Sequence, residues 1–184
     1  MTTMDITLAK LPGMLYQQLF KKEGRAPESP LPVIPFDKEA FLAPSDKAKF
    51  IWYGHSVVLM RMNGKTILID PMLGPDAAPI APFSTARFSE NTLDLINDFP
   101  EIDLMLMTHD HYDHVDLASF ELLKPKVKKY FVSIGTARHY EDWGISKDLI
   151  TEFDWWDTAE FKGIEIHFTP TRHFAGRGAT NRGK

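Results

Sequence analysis

An apolar run, Leu104-Met105-Leu106-Met107, opens directly into Thr108-His109-Asp110-His111-Tyr112-Asp113-His114-Val115-Asp116. No other stretch constrains the chain as strongly. The run, led by Asp103, has the length and composition of a buried strand. Behind it, three histidines and three carboxylates fill the eight positions from His109 to Asp116. Crowding such groups at a strand end is costly unless something compensates them. Imidazole and carboxylate are the donors that zinc and related divalent ions take where thiolate is absent. This chain has no cysteine, which excludes thiol nucleophiles, cysteine-ligated zinc and iron–sulfur clusters and fits a reducing compartment. The competing reading is a solvated loop with coincidental histidines. Four donors in the order His-x-His-x-Asp-His weigh against it. His109 and His111 are two apart, so an extended segment points both the same way; Asp113 continues that phase and His114 breaks it. One ion is expected on the His109–His111 pair and a second on Asp113–His114.

Elsewhere the pattern predicts a layered α/β domain over 49–184, with a proline-rich arm over 1–48 packing on it. The arm holds six of the 13 prolines, Pro12, Pro27, Pro30, Pro32, Pro35 and Pro44. A short helix is expected over Leu11–Phe20. Phe50–Tyr53 and Val57–Met60 read as one buried strand interrupted by Gly54-His55-Ser56. Asn63-Gly64 is a strong hairpin signal, returning as Thr66–Ile69. Helices are expected over Thr92–Phe99, Val115–Lys124 and Thr136–Trp143. Strands are expected over Lys129–Ser133, Ile150–Phe153 and Ile164–Thr169, the last preceded by a turn at Glu160–Gly163. Alternating helices and strands with hairpins mixed in exclude a simple parallel βαβ wheel.

The formal net charge of −4 gives no sequence-wide attraction to nucleic acid. A local basic patch is conceivable around Arg172, Arg177, Arg182 and Lys184. The N-terminus lacks a signal-peptide pattern, and no apolar run reaches the ~20 residues of a membrane span. The expectation is a cytoplasmic protein.

His-x-His-x-Asp-His after a buried strand resembles the signature of the metallo-β-lactamase-fold hydrolases. Ile51-Trp52-Tyr53-Gly54-His55-Ser56, Ile67-Leu68-Ile69-Asp70-Pro71 and Phe153-Asp154-Trp155-Trp156 look like one branch of them. That branch contains the L-ascorbate-6-phosphate lactonases and the N-acyl-phosphatidylethanolamine phospholipase D enzymes. The resemblance implies an αββα four-layer sandwich, of which this chain supplies mainly the first half. It implies His109, His111, Asp113 and His114 as metal ligands. The third histidine of the first ion would lie at a later strand end, and His173 in Phe168-Thr169-Pro170-Thr171-Arg172-His173 fits that place. Asp70 and His55 would orient the ligands. His167 and His139 read as packing or surface histidines, and Trp52, Trp155 and Trp156 as core or pocket wall.

The resemblance also implies an aspartate bridging two ions and a final histidine. The eleven residues after His173 contain no Asp, Glu or His. The chain is therefore expected to be an N-terminal part, holding at most one ion firmly by itself. The remainder would come from a complementary chain, a homo-oligomer or a segment beyond this sequence. The implied function is hydrolysis of a phosphodiester, lactone or other ester, with a small-molecule or lipid-like substrate. A pair of zinc ions, with manganese or iron as alternatives, would activate water, and Asp113 would be the catalytic carboxylate. The rival readings are a non-catalytic metal-binding fragment and a metal-dependent nuclease, the latter disfavoured by the net charge. A di-iron flavoprotein oxygen reductase usually has Glu where His111 stands.

Overall fold

The computed structural model describes residues 8–21, 23–77, 84–171 and 173. Six strands form one sheet in the order β1-β2-β3-β4-β5-β6. They are β1 (Lys49–Trp52), β2 (Val58–Met62), β3 (Lys65–Ile69), β4 (Leu104–Met107), β5 (Tyr130–Ser133) and β6 (Ile150–Phe153). The first three pair antiparallel, and β3 to β6 run parallel. Asn63 and Gly64 join β2 to β3 with φ of 48° and 69°. Positive φ at both central residues marks the turn whose twist matches two flanking strands.

The expected interrupted strand over 50–60 is instead a second hairpin. Gly54 (φ 86°) and His55 (φ 49°) reverse the chain. Tyr53 N–H donates to Val57 O at 3.0 Å, and Val57 N–H to Gly54 O at 3.1 Å. An apolar pattern broken at Gly54-His55-Ser56 does not by itself distinguish a kink from a reversal, and the glycine's left-handed backbone decides it. β1 becomes an edge strand, with Phe50 62% and Trp52 70% exposed. Trp155 and Trp156 are likewise exposed, so none of these three tryptophans is core.

Strand alternation sorts the sheet into two faces. Leu59, Leu68, Met105, Tyr130 and Val132 look toward the helices, in a cluster that includes Ile96, Phe120 and Tyr140. These come from the helices α3 (Leu95–Asp98), α4 (Leu117–Leu123) and α5 (Ala137–Asp142), following α1 (Leu11–Phe20) and α2 (Lys38–Leu42). Ile67, Leu104, Phe131 and Phe153 look the other way, onto Ile164 and the partly buried Phe161 and Ile166. The latter belong to a separate hairpin, β7 (Thr158–Phe161) with β8 (Ile164–His167). Glu160-Phe161 thus ends a strand, and the turn lies at Lys162-Gly163. On this face Met60, Ile69 and Leu106 are only partly buried. Helices, sheet and the opening strands of a second sheet are three successive layers of the expected αββα sandwich. The 3-10 turn Thr92–Asp94 precedes α3, which ends at Asp98. Pro100 lies beyond it.

From the arm, Phe41 is buried, and Val33, Phe36 and Leu42 pack on the helix-side core. No helix among the described residues is long and apolar enough to cross a membrane. Arg172, Arg177, Arg182 and Lys184 lie outside the described residues.

Candidate metal centre

The parallel order of β3 and β4 brings their C-terminal ends side by side, where open α/β sheets place their ligands. β3 delivers Asp70 and β4 delivers Thr108 and His109. The chain then coils instead of staying extended. His114 N–H donates to His111 O at 3.0 Å, and Val115 N–H to the same oxygen at 2.9 Å. This turn overrides the expected two-residue phase and separates Asp113 from His109 and His111. Asp116 ends the coil as the cap of α4, accepting from Ala118 N at 3.2 Å and Ser119 N at 3.0 Å. Its Oδ2 also accepts from Gly74 N–H at 3.0 Å and Ser119 Oγ at 2.5 Å.

Two groups of donors result. In His109, His111 and His173, one donor atom from each lies within 4.8 Å of the others. His173 Nε2 is 3.0 Å from His111 Nδ1. Ring centroids of the three histidines stand 4.5 to 4.6 Å apart. The second group is His55, Asp113 and His114, within the same limit. The groups adjoin, with the His109 and His114 rings 4.0 Å apart.

Asp70 lies beneath both. It is 3% exposed and sits at φ 42°. Its Oδ1 accepts from Thr108 N–H at 2.8 Å. Its Oδ2 accepts from Thr108 Oγ1 at 2.7 Å and stands 3.0 Å from His114 Nδ1. A carboxylate only accepts, so His114 carries its proton on Nδ1 and turns an Nε2 lone pair outward. The Thr108 hydroxyl spends its one proton on Asp70 and therefore accepts from His109 Nδ1, 2.9 Å away. His109 is thereby held in the same tautomer, with its lone pair on Nε2. That nitrogen is buried with no hydrogen-bond partner among the described residues. A buried acceptor left this way costs about 1–3 kcal/mol, and a cation supplies what it lacks. The donor set therefore fits a divalent metal ion.

Electrostatics agree. Burial, reinforced by the neighbouring histidines His114, His111 and His173, pushes His109 down to about 4, so it is neutral and ready to ligate at neutral pH. Burial and His173 lower His111 too. For Asp113, burial acts upward, yet its backbone N–H, His114 and His55 together hold the carboxyl below its ordinary range.

Of the residues singled out in the sequence, His109, His111 and His173 come together, as do Asp113 and His114, and Asp70 touches His114. His55 lies against Asp113, its Nε2 2.8 Å from Oδ2. His139 instead faces Asp110, at 3.8 Å, and His167 faces Glu165, at 3.1 Å. Sequence reasoning missed the part played by Thr108, whose only signal is its place between an apolar strand and the first histidine. It missed Arg87 as well. That guanidinium donates to Tyr53 O and, at 2.7 Å, to Met72 O, tying the β1–β2 turn to the segment after β3.

The chain is similar to several known proteins. It is 26% identical over 165 residues to an uncharacterized protein of Mycobacterium tuberculosis, covering 89% of this chain and 44% of that one. An N-acyl-phosphatidylethanolamine-hydrolyzing phospholipase D of Caenorhabditis elegans is 30% identical over 140 residues, 71% of this chain and 39% of the relative. A metal-dependent hydrolase of Saccharolobus solfataricus is 28% identical over 127 residues, 68% of this chain and 51% of the relative. The chain thus spans about half or less of the length of these relatives. Among solved structures, the fold matches a metallo hydrolase of Ignicoccus hospitalis with a TM-score of 0.54 and 21% identity, covering 73% of this chain and 53% of that one. It also matches the diiron β-hydroxylase CmlA of Streptomyces venezuelae with a TM-score of 0.52 and 24% identity, over 69% of this chain and 24% of that one. The beta-lactamase superfamily domain is matched by residues 65–184, well over half of the chain, and the chain belongs to that superfamily.

Proposed function

We propose that the chain carries the metal centre of a hydrolase that cleaves phosphodiester or related ester bonds, with zinc as the resident ion. The observation that carries this reading is the convergence of His109, His111 and His173 around a buried His109 Nε2 with no hydrogen-bond partner among the described residues. His109, His111 and His173 would hold one ion, and Asp113 and His114 would contribute to a second. When bound, the metal lowers the pKa of a water toward neutrality, so that hydroxide is available as the nucleophile. Beside such an ion Asp113, whose carboxyl is held below its ordinary range, would accept a hydrogen from a water and orient it. Asp70 keeps the lone pairs of His109 and His114 aimed at the site throughout. In the reaction the water oxygen bonds to phosphorus or acyl carbon, the ester bond breaks, and the alcohol leaves with a proton.

The named activity of the C. elegans relative supports a phosphodiester, and exposed tryptophans at the histidine end of the sheet support an amphiphilic one. β1 and β6, the two outer strands with four strands between them, both point their C-terminal ends to the end of the sheet that bears the histidines. There Trp52, Trp155 and Trp156 stand 59–72% exposed. Tryptophan in such a place offers apolar area with a polar handle. The net charge of −4 disfavours a polyanionic nucleic-acid substrate.

The test is turnover of bis(p-nitrophenyl) phosphate and of p-nitrophenyl acetate by the zinc-loaded chain and by His109→Ala. Metal-dependent turnover that falls at least ~100-fold in the variant is expected. Firm zinc binding without turnover of either substrate would favour a non-catalytic metal-binding piece that needs a complementary half.

A further inference from the structure

The proline-rich arm carries an apolar helix that the core does not use. α1 reads Leu11-Pro12-Gly13-Met14-Leu15-Tyr16-Gln17-Gln18-Leu19-Phe20. No described residue of it belongs to either core cluster. Met14 is 51% exposed, Leu15 39%, Tyr16 57% and Phe20 71%. A helix of 10 residues is marginal in water alone and draws its stability from packing its apolar face. This one offers such a face to solvent. We propose that α1 is a docking helix that lies flat on an anionic lipid surface. Such docking does not depend on the metal centre, and its test leaves that reading untouched.

Width, charge and length select this occupant. Successive helical residues are about 100° apart, so Met14, Leu15 and Tyr16 alone sweep roughly 200° of the helix surface. A single neighbouring element covers a narrower stripe, of about 100°. A fluid apolar medium takes up the wider arc. Tyr16 and Phe20 stand with ring centroids 5.3 Å apart, and tyrosine suits a boundary that is apolar on one side and wet on the other.

Lys10 and Lys21 flank the helix, and Lys22 and Arg25 follow, against Glu23 alone. The chain as a whole has 25 acidic and 21 basic residues, so this is a positive segment on a negative protein. Lysines at helix ends lay their stems along apolar surface and hold their ammonium groups at the headgroups. A second copy docking helix against helix would bring these like charges together, whereas an anionic bilayer neutralises them. At about 1.5 Å per residue the helix is roughly 15 Å long, half the hydrocarbon thickness of a bilayer, so it lies in the interface and does not span it.

The experiment is sedimentation of the full chain, stripped of metal by a chelator, with vesicles of phosphatidylcholine and of an equal mixture with phosphatidylglycerol. Circular dichroism verifies the fold of each variant. Binding to the mixed vesicles should exceed binding to the neutral ones at least ~10-fold. Lys21→Glu/Lys22→Glu should weaken it at least ~10-fold, since each cation near the surface is worth about fivefold. Met14→Gln/Phe20→Gln should abolish it. The chain has no cysteine, so Leu15→Cys accepts a single environment-sensitive dye, whose emission should rise on the mixed vesicles. The same dye at Glu121→Cys, on α4, should not respond. No binding by the native chain, binding without preference for the anionic lipid, or binding that Met14→Gln/Phe20→Gln leaves intact would each overturn the proposal. A dye at Leu15→Cys that stays unchanged on the bound chain would show that another face meets the lipid. If α1 instead joins two copies, light scattering will show a dimer that Met14→Gln/Phe20→Gln dissociates, and the proposal falls.

Discussion

Replacing Asp70 by Asn changes one oxygen to an NH2 group, yet the wiring predicts that it weakens both ion sites together. Asn tolerates left-handed backbone, so φ 42° adds no strain. The amide oxygen can still accept from Thr108 N–H. Its NH2 must then face Thr108 Oγ1 and His114 Nδ1, both of which donate in the native protein. Both partners can reverse: Thr108 turns its proton toward His109 Nδ1, and His114 moves its proton to Nε2. The ion-free protein therefore refolds its hydrogen bonds. It loses their charge assistance and regains part of the cost of burying a carboxylate, for a net loss of about 1–3 kcal/mol of stability. The ligand atoms fare worse. His109 and His114 now carry protons on the nitrogens that should bind. Restoring the ligating tautomer leaves buried polar groups without a partner, at a cost of about 1–3 kcal/mol at each histidine, or roughly 10–100-fold in affinity per ion. Competition with a chromophoric chelator measures the affinities, and thermal unfolding of the metal-free protein measures the stability. Native affinity at both sites in a folded Asp70→Asn chain would refute the tautomer argument.

Thr108→Val removes the relay to His109 but leaves the Asp70–His114 contact intact. The His109 site should weaken about tenfold while the His114 site keeps its affinity, read from the same chelator competition. Gly74→Ala would place a Cβ 2.6 Å from Asp116 Oδ2, driving the carboxylate off its cap of α4. Denaturant unfolding should show a loss of about 1–3 kcal/mol, whereas an unchanged midpoint would mean that the loop shifts freely. Adding zinc at about 100 times its Kd should stabilise the chain by roughly 2.7 kcal/mol over the chelator-treated form. Calorimetry should show that gain abolished in a His109→Ala/His114→Ala double variant.

The donor types were legible in the sequence because metal chemistry demands particular atoms, and His109-x-His111-x-Asp113-His114 displays them within a few positions. The strand that delivers them was equally legible, since Leu104–Met107 is apolar on both faces and must be buried on both. Elements with local signals followed: Asn63-Gly64 announces its turn, and Ile150–Phe153 its strand. The resemblance, not the local pattern, pointed to His173, because no periodicity connects residues 62 positions apart.

What only the tertiary structure decided was direction. Although the donor order already paired Asp113 with His114, phase along an extended segment pointed it the same way as His109 and His111. The turn at His111 separates them, because hydrogen bonds closing on a single carbonyl and the Asp116 cap outweigh strand alternation. The break at Gly54-His55-Ser56 is visible in the pattern, but a reversal of the chain there requires β1 to find β2, a pairing between segments that sequence order does not specify. With that reversal His55 reaches Asp113, 58 residues away. Asp70 serves one histidine directly and another through a threonine for the same reason. β3 and β4 lie parallel and in contact, so the ends of two distant strands share one buried carboxylate.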